Sequence, residues 1–353
     1  MTGPASHQIE RSTLATRLGL LAGAAVLLAL ALAPAYLGRA DLRLLGEIFL
    51  YLSLASLWNL LAGYAGLVSV GQQAFVGIGG YLLFALTIFG GVHPLIALLI
   101  IFVAGGLVSM PIAALIFRLR GAYFAIGTWV VAEVCRLGFA QLGALGGGSG
   151  ISLPVKVVKS IASSRAGREA ASYWLALGVA VLVIAIAWLF LRSRRGLALT
   201  AIRDNELAAA SLGIDIWRTK FVVYSMVGAL TTLVGALIFL QKLRISPDAA
   251  FSVNDWTAFV IFIVVIGGIG TLEGPIIGTI VFFLLRETLA DLGTIYLIVL
   301  GIVATIVMLF APKGLWGAIK HFTGFQLFPL GYRVRLAKGG KQDSASMKRD
   351  AEG

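Results

Sequence analysis

Charged side chains are scarce in this sequence. Asp, Glu, Lys and Arg make up 12% of its 353 residues, against about 25% in ordinary soluble domains. A surface facing water needs more charge than that, whereas a surface facing lipid does not. Cysteine is nearly absent: Cys135 is the only one, inside an apolar segment, which excludes an internal disulfide framework. The three histidines, His7, His93 and His321, are too scattered for metal-ligand spacing. No Ser/His/Asp or Cys/His grouping recurs at one level of the chain, so no catalytic residue is assigned. No G-x-x-x-x-G-K-[ST] phosphate loop occurs. The expectation is a non-enzyme without a metal or a cofactor of its own, and any nucleotide that drives it must bind another chain.

Apolar residues fill 59% of the sequence. They gather in ten segments, 18–37, 44–62, 74–90, 95–117, 122–141, 173–191, 219–240, 256–270, 275–290 and 294–311. Runs near 20 residues are the length that crosses a bilayer as a helix. Lipid also leaves the helix as the economical way to satisfy every backbone polar group. The predicted fold is an all-α, polytopic transmembrane bundle of eight to ten spans. Ala33-Pro34-Ala35 loosely resembles a signal-cleavage site, but its apolar run is long for a signal peptide and more spans follow, so 18–37 is read as an uncleaved first helix.

The net charge of +12 would suggest nucleic acid as the partner of a soluble protein. Here it reads as loop charge that sets topology and meets lipid headgroups, with no nucleic acid. With the N-terminus in the cytoplasm, 18 of the 28 basic residues fall on inner segments and the tail, and eight on outer loops. That bias predicts both termini inside. The resulting division is a cytoplasmic segment 1–17, a membrane domain 18–318 and a basic, partly disordered cytoplasmic tail 319–353. The 142–172 loop lies outside, opening with Gly146-Gly147-Gly148-Ser149-Gly150.

The inner segment 196–213 is rich in Ala and Leu, and one helix is predicted over 197–212 with Gly213 as its C-cap. Leu199, Ile202 and Leu212 can share its apolar stripe, while Arg203, Asp204, Asn205 and Glu206 form a polar turn. By themselves these residues fit a helix lying on headgroups or one seated in a partner's groove.

Two apolar stretches are interrupted by glycine: Gly63, Gly66 and Gly71, and Gly267, Gly268, Gly270 and Gly274 before Pro275. Their similar spacing points to an internal duplication. Such breaks serve tight helix packing or leave backbone groups facing a solute path. Gln72 and Gln73 offer amides at the first break. Glu133 and Arg136 are three residues apart, so they can share a helix face and pair, with Thr128 and Trp129 one turn earlier. Arg286 and Glu287 are expected to reach headgroups or a partner, and Glu273 to shape a turn.

Several ordered motifs point further. They are Asn59-Leu-Leu-Ala-Gly63-Tyr-Ala-Gly66-Leu-Val-Ser-Val-Gly71-Gln-Gln-Ala-Phe75, Arg118-Leu-Arg-Gly121-Ala-Tyr123-Phe124-Ala-Ile, Gly148-Ser-Gly150-Ile, Gly196 through Gly213, Gly267-Gly-Ile-Gly270-Thr-Leu-Glu-Gly274-Pro and Pro312-Lys-Gly-Leu-Trp316. Together they resemble permeases of the branched-chain amino acid ABC transporter family, in its M-type form, over roughly residues 42–318. The family's arginine after the loop's first glycine is Leu197 here. The resemblance implies a cytoplasmic coupling helix in which Gly196, Ile202, Arg203, Asp204, Asn205, Glu206 and Gly213 meet an ATPase. It implies a second homologous permease subunit, cytoplasmic ATP-binding subunits, a periplasmic solute-binding protein and a bacterial inner membrane. Gly63, Gly66, Gln72, Gln73, Thr128, Trp129, Glu133, Arg136, Gly267 and Gly270 are the residues proposed for the translocation path. Urea, short amides or aromatic acids are alternative solutes within the family, and an ion-coupled secondary transporter is the alternative outside it.

Overall fold

The computed structural model describes residues 7–10, 14–162, 164–289, 293, 295–311, 313–323 and 333–336. In chain order, strand β1 (His7–Glu10) precedes helices α1 (Leu14–Ala31), α2 (Arg39–Asn59), α3 (Gln72–Ile88), α4 (Pro94–Ile116) and α5 (Ala122–Ala140). A short strand β2 (Ile151–Ser152) leads to α6 (Val155–Ile161) and the long α7 (Arg165–Arg192). Two short helices, α8 (Arg194–Asp204) and α9 (Glu206–Ser211), join α7 to α10 (Ile216–Lys242). Then come β3 (Arg244–Ile245), α11 (Pro247–Ala250), α12 (Phe259–Gly267), α13 (Gly274–Thr288), α14 (Ile295–Phe310), α15 (Gly314–Thr323) and β4 (Arg333–Leu336). Wide π-helical turns extend α2 through Leu60–Tyr64 and precede α12 at Asn254–Ala258.

All ten predicted apolar segments contain a helix, and the chain is a polytopic helical membrane protein. Seven helical stretches are long and apolar enough to cross a bilayer, among the described residues. Two of the ten predicted spans are shorter: α3 has 17 residues and α13 has 15. The sequence count of eight to ten allowed for weak runs, the charge-bearing 122–141 and the short 256–270 and 275–290. Each begins at a glycine-rich break, α3 directly after Gly71 and α13 at Gly274.

The core centres on α2 and α10, which are mostly buried. Helix α10 packs against α3 and α4, α2 against α7, and α12 against α13. The tightest of these contacts use glycine. A methyl group at Gly79 would overlap the carbonyl of Thr232, and one at Gly235 would overlap the backbone of Val76, so α3 and α10 touch main chain to main chain. Gly267 and Gly278 do the same for α12 and α13, against Gly274 and Ile263. Without a hydrophobic drive between helices in lipid, this close approach supplies dispersion contact that larger residues would prevent. By contrast, α5 and α14 keep most of their surface exposed.

Helix α1 starts at Leu14, four residues before the predicted run. Its far end is tied to α7: Tyr173 Oη donates to the Leu30 carbonyl at 2.6 Å and Trp174 Nε1 to that of Ala31 at 3.2 Å. The 142–172 segment holds α6, the start of α7 and strand β2. The latter pairs Ile151 with Ile245 and Ser152 with Arg244. A second antiparallel ladder joins His7–Glu10 to Arg333–Leu336. The rest of the predicted tail beyond Thr323 lies outside the described residues.

Gly235→Ala should cost about 1–3 kcal/mol, because the added carbon has no space against Val76. Gly178→Ala, in α7 with nothing within 4 Å of the new carbon, should be neutral or stabilising by up to about 1 kcal/mol. Thermal unfolding of the purified chain in detergent separates the two.

Candidate functional site

The first glycine-rich break is held shut by side chains. Between Tyr64 and Gln72 the backbone leaves the helix, and in an apolar setting its freed N–H and C=O groups need partners. Trp58 Nε1 donates to the Ser69 carbonyl at 2.8 Å, and the Val70 N–H donates to Thr128 Oγ1 at 3.0 Å. Gly71 lies against the Thr128 carbonyl, where no side chain would fit. Gln72 Nε2 reaches back to the Leu54 carbonyl at 3.0 Å, and Gln73 Oε1 accepts from Thr257 Oγ1 in the turn before α12. Both glutamines are buried, with Gln72 Oε1 and Gln73 Nε2 unpaired among the described residues. They brace the break from within, and neither lines the cavities of about 660 and 640 Å³ described below.

The second break, between Gly267 and Gly274, meets the first. The link is Asn59, 1% exposed. Its Oδ1 accepts from the Gly270 N–H at 2.8 Å, and its Nδ2 donates to the Thr271 carbonyl at 2.7 Å. Gly63 sits so close to Gly270 that a side-chain carbon there would press on the Gly270 backbone and on Asn59 itself. The middle glycines of the two breaks match in conformation, with φ of +68° at Gly66 and +75° at Gly270, values that favour glycine. The sequence reading named Asn59 only as the first residue of a motif and gave it no role. Its signal was an amide in the last helical turn of a largely apolar span, four residues before a glycine.

The α8–α9 segment grips this junction. Arg203 Nη1 donates to the Gly63 carbonyl at 2.8 Å, while its Nε and Nη2 hold Asp204 Oδ1 at 2.9 and 2.8 Å. The single predicted helix is two helices. Asn205 is extended (φ −158°, ψ 105°) and its Oδ1 accepts from the Ala208 N–H at 3.0 Å, so it caps a new helix instead of continuing the old one. Glu206 pairs with Lys220 of α10 at 3.2 Å. Gly196 allows α8 to turn tightly off Leu191, and Gly213, at φ +80°, ends α9.

The buried side of the segment is Gly196, Leu199, Ile202 and Ala209. Leu212, expected on that stripe, is 79% exposed, because the break at Asn205 shifts the phase of everything after it. With Leu197 and Leu207 it leaves three leucines projecting away from the bundle. Beside the segment lies a cavity of about 640 Å³ lined by Gly66, Val68, Arg120, Phe124, Trp217 and Lys220.

A separate charged group sits on α5. Arg136 holds Glu133 with contacts of 2.6–3.0 Å, and its Nη1 donates to Asp248 Oδ1 of α11 at 2.8 Å. Asp248 lies in the connection between the predicted segments 219–240 and 256–270, where no site residue was expected. Trp129, Glu133 and Arg136 occupy the exposed side of α5, whereas Thr128 faces inward and is 2% exposed. Arg286, expected to reach headgroups or a partner, instead pairs with Glu47 of α2 at 2.8 and 3.4 Å and stacks over Phe283. No group of three or more metal-binding side chains occurs among the described residues.

The chain is thus a multi-pass helical membrane protein whose two discontinuous helical segments are pinned together beside the α8–α9 pair. Residues 42–312 match the family described as branched-chain amino acid transport system / permease component, and the chain belongs to that family. It is 30% identical to the high-affinity branched-chain amino acid transport system permease protein LivM of Escherichia coli, over 87% of this chain and 76% of that one. It is 24% identical to a probable LivH permease of Methanocaldococcus jannaschii, over 70% of this chain and 82% of the other. A shorter match, 34% identical over 38% of this chain and 44% of the other, is to the ribose import permease RbsC of Bacillus subtilis. No solved structure matches.

Asn59→Ala removes both hydrogen bonds and leaves the Gly270 N–H and Thr271 C=O buried without partners, at about 1–3 kcal/mol each. The expected result is a lower unfolding midpoint than for Ser211→Ala. Ser211 is an exposed residue whose Oγ donates to the Leu207 carbonyl at 3.0 Å.

Proposed function

We propose that this chain is the membrane-spanning permease subunit of an ATP-driven importer for branched-chain amino acids. In this reading it works beside a second, homologous permease in a bacterial inner membrane, above cytoplasmic ATP-binding subunits and below a periplasmic solute-binding protein. The observation that carries it is the α8–α9 segment. One face is seated in the bundle, where Arg203 holds the Gly63 carbonyl at the meeting point of two broken helices. The other face presents Leu197, Leu207 and Leu212 beside the charges of Asp204 and Glu206. An apolar knob set with a charged rim is the form of a helix that seats in a partner's groove.

Motion of that partner would act on Arg203 and so on both breaks together. The exposed Glu133–Arg136–Asp248 group would then face the second permease or the solute path, since charges in apolar surroundings are stable only against protein or water. The β1–β4 ladder supports placing both termini on one side, and the basic bias supports the cytoplasm for that side.

With its cognate ATPase and partner permease in proteoliposomes, the chain should support ATP-dependent leucine uptake. Changing Arg203, Asp204 and Glu206 together to Ala should cut ATPase retention in a pull-down and lower uptake at least tenfold. Unchanged retention and uptake would end the coupling assignment. Leucine uptake by the lone chain under an ion gradient would favour a secondary transporter instead.

A further inference from the structure

At the end of the bundle opposite α8–α9 lies a cavity of about 660 Å³ between α2, α6, α7 and α10. We propose that it binds an anionic head joined to an aliphatic tail, either the carboxylate of an apolar amino acid or the phosphate of a phospholipid. The first arm rests on the import reading for its choice of solute, and the second does not.

The lining separates into an ionic mouth and an apolar floor. The mouth holds four cations, Arg43, Arg165, Arg168 and Lys242, against two carboxylates, Glu47 and Glu169. Both carboxylates already have cations beside them, although the buried Oε2 of Glu169 makes no hydrogen bond among the described residues. Glu47 is held by Arg286 at 2.8 Å. Glu169 Oε1 is held by Arg43 at 2.7 Å and Arg165 at 3.4 Å, with Arg39 3.9 Å from its other oxygen. The mouth is therefore over-supplied with positive charge, and its field favours an anion.

Lys242 is the cation left over. Among the described residues no carboxylate lies within 4.0 Å of its ammonium. That ammonium rests 4.6 Å from the ring centre of Trp256 and 5.9 Å from that of Phe239. The rings hold it by cation–π attraction without neutralising it. Arg168 also lines the mouth, and its Nη1 donates to the Ala162 carbonyl at 3.3 Å.

The floor is Leu50, Tyr51 and Trp256, all buried, with the rings of Tyr51 and Trp256 5.9 Å apart. Along α2 the lining runs from Leu42 to Tyr51, a depth of about 13 Å at 1.5 Å per residue. A short, water-loving solute would leave that floor unfilled, and a fully apolar one would leave Lys242 unpaired. Concave sites with an apolar body and a few placed charges are the usual form of small-ligand sites, and basic pockets between spans take lipid head groups.

The test uses the full chain, purified in detergent and stripped of lipid. Native mass spectrometry and thermal shift are run with leucine, with phosphatidylglycerol and, as the control, with diacylglycerol, which has the aliphatic tails and no anionic group. The expected result is saturable binding of one ligand per chain by leucine or by phosphatidylglycerol, and not by diacylglycerol. Lys242→Gln should weaken it at least fivefold, and Lys242→Arg, which keeps the charge over the rings, should restore it. Leucine binding identifies the solute arm, and phosphatidylglycerol binding the lipid arm. No saturable binding of either, or equal binding by Lys242→Gln, overturns the site and leaves the import reading standing. Failure of ATP-driven leucine uptake alone would overturn the import reading and leave a phosphatidylglycerol site intact.

Discussion

Everything in this bundle answers to one constraint: a backbone group that leaves a helix inside an apolar medium must find a partner in the protein. Two stretches leave the helix, and each is repaired by side-chain hydrogen bonds. Trp58 and Thr128 close the first. Asn59 and Thr271 close the second, Thr271 Oγ1 donating to the Gly268 carbonyl at 2.8 Å and accepting from the Gly274 N–H at 3.1 Å. Because Asn59 stands on the first discontinuous span and bonds to the second, the repair also makes the two breaks one mechanical unit. That is how a local backbone problem becomes a long-range structural link, across 211 residues of sequence from Asn59 to Gly270.

The glycines explain why this link is possible. Gly63 and Gly270 can abut because neither carries a side chain. Elsewhere, at Gly79, Gly235, Gly267 and Gly278, glycine draws whole helices into backbone contact. The sequence left two roles open for the interrupted spans, tight packing and an exposed backbone. In this chain Gly63, Gly71, Gly267 and Gly270 are taken up by packing, while Gly66 also lines the cavity beside α8–α9. A path through the membrane, on the proposed reading, would run along surfaces that this chain leaves uncovered, such as the outward side of α5, more readily than through its filled interior.

Much of the fold was legible beforehand, because apolar runs of bilayer length leave few alternatives to a helix bundle. The Glu133–Arg136 pair was legible too, since a three-residue spacing on a helix dictates the meeting. Three things were not. Asn205 ends one helix and caps another, and Ala- and Leu-rich flanks concealed it, so Leu212 was assigned to the wrong face. Asp248 joins the α5 charges from 112 positions away, which no local pattern encodes. Arg286 found Glu47 inside the same chain because α13 packs beside α2, a neighbour relation that periodicity does not supply.

The contact between Arg203 and Gly63 has a consequence for how such a chain can change. Arg203 grips a main-chain carbonyl, a group that every amino acid possesses. The receiving end of the link carries no chemical information of its own, and substitutions around it cannot retune its affinity as they could for a side-chain acceptor. Drift at neighbouring positions of α2 can reshape what that helix presents to its surroundings while the grip stays intact. All the variability is confined to the donor, so inheritance of the connection depends on one guanidinium and on the smallness of one glycine.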